Sequence, residues 1–108
     1  MGIVRTEVIT SGLVSAESML CEDFVPPSGE FFIADFISEA CFSGLTIVKA
    51  VWDATGTPEI IWSSTGSANI KLDIPRTGDG VKKLRLCLEN NSTSAVTMSG
   101  KLIVVQDV

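Results

Sequence analysis

The stretch Asn69-Ile70-Lys71-Leu72-Asp73-Ile74 places every apolar side chain in one phase and every polar one in the other. Because successive side chains of a pleated strand point to opposite faces, this two-residue period describes a strand with one face in a core and one in water. The stretch Val81–Glu89 repeats the pattern, with Leu84, Leu86 and Leu88 opposite Lys83, Arg85, Cys87 and Glu89. Half-exposed strands of this kind belong to layered β proteins.

The rest of the chain agrees. Val and Ile number 21 and Ser and Thr another 21, without a clear 3.6-residue period. β-Branched side chains pack well on a pleated surface and lose rotamer freedom in a helix. Turn-forming clusters punctuate the chain at Pro26-Pro27-Ser28-Gly29, Ser43-Gly44, Thr55-Gly56-Thr57-Pro58, Ser64-Thr65-Gly66-Ser67, Pro75 to Gly80 and Asn90 to Ser94. Between them the predicted strands are Ile3–Thr10, Ser18–Phe24, Glu30–Ile37, Leu45–Ala54, Glu59–Ser63, Asn69–Ile74, Val81–Glu89 and Ala95–Gln106, the last with a bend at Gly100. A short helical turn over Ser15–Leu20 is an alternative for one segment. About eight strands at this spacing predict an all-β, single-domain antiparallel β-sandwich over residues 1–108, of jelly-roll or Greek-key type.

Three strands break the alternation. Phe31, Phe32, Ile33, Phe36 and Ile37 occupy both phases, as do Ile47, Val48, Val51 and Trp52, and Leu102 to Val105. A two-layer sandwich buries one face per sheet, so this surplus predicts either a second face covered by loops or barrel-like closure, or a subunit interface with Phe31, Ile33, Phe36, Ile47, Val51, Ile103 and Val105 as its candidates.

Composition narrows the chemistry. The 108 residues include no His and no Tyr, which removes Ser-His-Asp triads, Cys-His dyads and His-ligated zinc. The net charge of −5 is uneven: residues 1–54 carry eight acids against two bases, and residues 55–108 five acids against six bases. An acidic chain repels a phosphate backbone, so nucleic acid is not an expected partner. No apolar run is long enough to span a membrane as a helix. Lys71, Lys83 and Arg85 are candidates for an electrostatic contact with an acidic neighbour, the acidic half of another copy among them. Cys21, Cys41 and Cys87 are widely spaced and predict buried free thiols, with one pair at most. The first residues contain no secretory h-region, so synthesis and folding in a cytosol are expected. Gly2 and Thr6 fit the short N-myristoylation pattern.

Several sites compete. Thr77-Gly78-Asp79-Gly80 reads as a tight turn more readily than as a calcium loop, and neither a metal nor a cofactor is expected. Asn90-Asn91-Ser92-Thr93 holds two overlapping sequons and reads as a polar hairpin loop. Trp62, at a strand end beside Ser63, Ser64 and Thr65, is the candidate for stacking on a sugar ring, whereas Trp52 reads as core. Glu22 with Asp23, and Asp35 with Glu39, are the acids from which a small hydrolase would draw a carboxylate pair.

A small β-rich chain without catalytic equipment, with apolar residues to spare and split charge, resembles the head decoration (cement) proteins of tailed bacteriophages. The resemblance covers the whole chain in size, strand pattern and end residues and carries no binding residues over. It implies a non-enzymatic virion protein, made in the bacterial cytoplasm and added to the capsid surface. Its partners would be the major capsid protein and further copies of itself, in some family members as trimers. The alternative is a carbohydrate- or receptor-binding β-sandwich, free or tail-associated.

Overall fold

In the computed structural model, which describes residues 2–40 and 44–107, the chain is all strand and turn. Eight strands follow in order: β1 (Ile3–Val14), β2 (Ser18–Phe24), β3 (Gly29–Glu39), β4 (Thr46–Trp52), β5 (Glu59–Ser64), β6 (Ala68–Gly78), β7 (Leu84–Asn90) and β8 (Val96–Asp107). They form two four-stranded antiparallel sheets, ordered β1-β8-β3-β6 and β2-β7-β4-β5. First strand pairs with last, second with seventh, third with sixth and fourth with fifth, so a single long ribbon is rolled into two layers. That is the jelly-roll arrangement. The predicted sandwich is therefore the observed one, and β2 has its predicted limits. The residues of the proposed Ser15–Leu20 helical turn instead make a tight turn at Ala16 and Glu17 followed by strand. Glu17 takes a left-handed φ of 55°, which lets the chain leave one sheet and enter the other.

The core lies between the sheets. Val8 and Val14, Phe31, Ile33 and Phe36, and Met98, Leu102 and Val104 come from one layer, and Val48, Ala50 and Trp52 with Leu84, Leu86 and Leu88 from the other. Phe31 meets Trp52 edge to face, ring centroids 5.1 Å apart, which confirms Trp52 as core. At the open β5/β6 edge, Arg76 donates from Nε and Nη2 to the two carboxylate oxygens of Glu59 at 3.1 and 2.7 Å.

Two expectations about the strands fail for physical reasons. The register of β3 shifts between Ile33 and Asp35 against both neighbours, a β-bulge around Ala34. The bulge reverses the phase, so Phe31, Ile33 and Phe36 all face the core. What reads in sequence as a strand apolar on both faces is largely a one-faced strand with an extra residue. The bend at Gly100 is also absent: β8 runs unbroken and pairs Gly100 with both Thr10 and Ser38. The glycine answers a steric need, since a Cβ there would lie 2.9 Å from Val48 Cγ1 and 3.4 Å from the Leu86 methyls. Gly100→Val is therefore expected to cost about 3 kcal/mol in denaturant unfolding, with part of the loss recovered when Val48→Ala is added. Full stability in the single variant would contradict the close approach.

The thiol expectation is corrected as well. Cys21 and Cys87 lie directly opposite each other on β2 and β7, Cα atoms 4.2 Å apart, and form a disulfide. Such proximity arises between facing residues of neighbouring antiparallel strands. Cys41 lies outside the described residues, as does Ser43 of the predicted Ser43-Gly44 turn.

Candidate functional site

The outer face of the β1-β8-β3-β6 sheet is built in cross-strand rows. Antiparallel register lines up Arg5, Val105, Phe32 and Pro75 in one row. Glu7, Ile103, Asp35 and Lys71 form the next, and Ile9, Lys101, Ile37 and Asn69 the third. Lys101 Nζ approaches Glu7 Oε1 at 3.6 Å. Around that pair the face mixes charged and apolar side chains, with Ile9 51% and Phe32 43% exposed, and β1 adds Ile3 at 75% and Leu13 at 69%.

These side chains are not those the alternation argument selected. Phe31, Ile33 and Phe36 are wholly buried in the core and are unavailable to a partner. Ile103 and Val51 do point outward, yet both are buried, because each lies on an inner strand under the side chains of its neighbours. Only Ile47 and Val105 of the predicted interface set retain partial exposure, and they lie on different sheets. In sequence the exposed apolar residues of β1 do not stand out as a face, because Arg5 and Glu7 interrupt their phase. The signal was nevertheless present: Ile3, Ile9 and Leu13 share the odd positions while Val8 and Val14 share the even ones.

The outer face of the other sheet carries a neutralised set of charges, with Met19 and Ile60 as its exposed apolar side chains. Arg85 donates from Nε and Nη2 to the two carboxylate oxygens of Asp23 at 2.6 and 3.0 Å. Lys83 Nζ lies 3.9 Å from the same carboxylate, and Lys49 pairs with Glu89 at 2.7 Å. The Arg85 hydrogen bond, with the charges of Arg85 and Lys83, holds the Asp23 carboxyl below its ordinary range. Hydrogen bonds from Lys49 and Asn91 do the same for Glu89. The predicted basic cluster therefore does not assemble. Lys71 is on β6 of the opposite sheet, and Arg85 and Lys83 spend their charge on an acid of their own chain.

The catalytic alternatives find little geometry. Glu22 and Asp23 line a groove of about 230 Å³ with Thr6, Glu7, Val8, Ile9 and Phe24, between the β1 and β2 edges. Asp35 is on the outer face of the first sheet. A general acid needs a raised pKa, and Asp23 is displaced the other way. Asp79 Oδ1 accepts the backbone N–H groups of Val81 and Lys82 at 2.9 and 2.8 Å, as a turn acceptor. No group of three or more metal-ligating side chains occurs among the described residues. Trp62 is 36% exposed on the edge strand β5, opposite Ala50.

No protein-family model matches this sequence, and no curated protein matches it. Solved structures do share its fold. The Yersinia pseudotuberculosis-derived mitogen superposes with a TM-score of 0.61 at 12% identity, covering 92% of this chain and 86% of that one. FlhE superposes with a TM-score of 0.56 at 14% identity over the full length of both chains. At such identity the likeness is one of fold alone.

Proposed function

We propose that this chain is a non-enzymatic virion structural protein that decorates a phage capsid and stabilises it through protein–protein interfaces. The observation that carries the reading is the outer face of the β1-β8-β3-β6 sheet, where Ile9 and Phe32 stand exposed across the sheet and Ile3 and Leu13 extend the apolar surface along β1. Water-exposed apolar area of this kind gains about 25 cal/mol per Å² when a partner covers it. A stable contact needs about 1,000 Å² in total. Bridging neighbouring capsid subunits with such contacts offsets the outward pressure of packaged DNA. The Cys21–Cys87 disulfide is in keeping with a working life on a virion surface, outside the reducing cytosol in which the chain would be made.

The test is co-sedimentation with empty capsids of the virus that encodes the chain. The wild type is expected to pellet at a fixed ratio to the major capsid protein, and Phe32→Glu to lower that binding about tenfold or more while keeping its fold. A wild type that stays in the supernatant at micromolar concentration overturns the reading.

The exposure of Trp62 favours a second reading, a carbohydrate- or receptor-binding module. Trp52 is buried, so ligand-dependent quenching would report on Trp62. Emission unchanged across a glycan panel removes this version.

A further inference from the structure

We infer that two copies of this chain pair through their β1 strands, antiparallel and centred on Thr6, to form a two-fold dimer with a continuous eight-stranded sheet. The partner is thus a second copy, and the inference concerns the isolated protein, independent of any capsid.

The starting point is the edge itself. β1 spans 12 residues and pairs on one side only, with β8. A free edge of that length offers a row of unused N–H and C=O groups, which natural sheets normally blunt with Pro, Lys, bulges or brevity. The other three edges are blunted or shorter. β6 carries Lys71, Pro75 and a left-handed Asp73 at φ 51°. β5 has six residues and a register shift, and β2 has seven residues tied to β7 by the disulfide. β1 has no Lys, no Pro and no shift in its pairing with β8.

The side chains select the occupant and the register. Outward-facing positions must meet outward-facing positions, so a two-fold pairing of β1 with itself is centred on a residue. Centring on Arg5 sets Arg5 against itself, and centring on Glu7 sets Glu7 against itself; both are repulsive. Centring on Thr6 sets Arg5 opposite the partner's Glu7 and Ile3 opposite the partner's Ile9, each twice by symmetry. Like charges give way to two ion pairs, and four exposed isoleucines cover one another. On the inner phase Val4, 47% exposed, meets the partner's Val8. Arg5 has no ion-pair partner among the described residues, so its charge is free for this contact. The groove beside Thr6, Glu7, Val8 and Ile9 also holds Glu22, which has no ion-pair partner among the described residues, an environment that favours the incoming guanidinium.

Sedimentation equilibrium of the purified protein tests this without a capsid. The wild type is expected to show a concentration-dependent dimer. Arg5→Glu, which opposes Glu to Glu twice, is expected to raise the dissociation constant about thirtyfold, and Glu7→Arg to do the same. An equimolar mixture of the two variants restores both ion pairs and is expected to form a heterodimer, which a misfolded variant could not do. Thr6→Cys places two thiols opposite each other on the axis and is expected to crosslink between chains on oxidation, whereas Arg5→Cys is not. A wild type that remains monomeric, a dimer indifferent to both charge reversals, variants that fail to associate when mixed, or a Thr6→Cys chain that does not crosslink overturns the inference. An edge that instead captures an extended peptide of another protein overturns it too. Capsid binding that fails while the dimer persists counts against the proposed function and leaves the dimer standing.

Discussion

Reducing the Cys21–Cys87 bond, or replacing both residues with Ala, is expected to lower the unfolding free energy by about 4 kcal/mol and the melting temperature by roughly 15 °C or more. The cross-link joins residues 66 apart in sequence, and closing a loop of that length removes much of the freedom of the unfolded chain. The folded state adds a local reason. β2 is an edge strand whose side chains are mostly exposed; only Phe24 packs against the core, and Leu20 is 38% exposed. Burial therefore does little to hold β2 in place, and its ties to β7 are the ladder, the disulfide and the Asp23–Arg85 pair. Loss of the bond should accordingly speed amide exchange over residues 18–24 before the remainder of the sandwich responds. Guanidinium unfolding with and without reductant, combined with exchange mass spectrometry, gives both readouts. Equal midpoints and equal protection of β2 would show that the bond carries none of this load. The same measurement bears on compartment, because a chain that needs this bond is ill suited to permanent residence in a reducing cytosol.

The architecture was legible where local pattern and fold coincide. Ile70, Leu72 and Ile74 alternate with Asn69, Lys71 and Asp73, and the structure faces them as that pattern requires. The turn clusters separate most of the eight strands, although β6 runs on through Pro75 to Gly78, and those eight close as a jelly roll. Three things were not legible, each for a definite reason. The bulge at Ala34 is set by pairing to β6 and β8, strands far away in sequence, and one extra residue inverts the apparent face of every residue after it. Burial of Ile103 and Val51 arises from strand order, since an inner strand is shielded on its outer face by neighbours whose identity the chain does not announce. The disulfide needed the β2–β7 register before two cysteines so far apart could be seen as facing. The surface that emerges as the candidate contact is read from what remains exposed after those three effects, and it centres on β1 rather than on the apolar runs.

Asn90 marks the sharpest departure from the sequence reading, and its replacement by Asp is the second large effect expected. The side chain of this sequon residue is wholly buried at the end of β7. Its Nδ2 donates to the carbonyl oxygens of Val14, Ser15 and Ser94 at 3.0, 3.3 and 2.8 Å, and its Oδ1 accepts from Ser92 N at 3.0 Å and Ser92 Oγ at 2.6 Å. One amide thus joins the β1–β2 crossing to the β7–β8 turn, at the place where the chain twice changes sheets. Aspartate preserves the shape and the acceptor, but turns the donor into a carboxylate oxygen facing three carbonyls. Burial among acceptors raises the pKa of such a carboxyl above its unfolded value near 4. The sign follows from linkage: the folded state then binds the proton more tightly than the unfolded one, so the penalty is smallest below about pH 4 and grows as pH rises through the raised folded value. At neutral pH the loss should be about 4 kcal/mol, a large share of the 5–15 kcal/mol that holds a typical domain folded. Asn90→Ala should cost about 3 kcal/mol with little pH dependence, because it orphans the same carbonyls without adding charge. Urea unfolding of the three proteins between pH 3 and pH 8 separates the two contributions. A pH-independent difference between wild type and Asn90→Asp would mean that water reaches the site and the amide is not the closure of the roll.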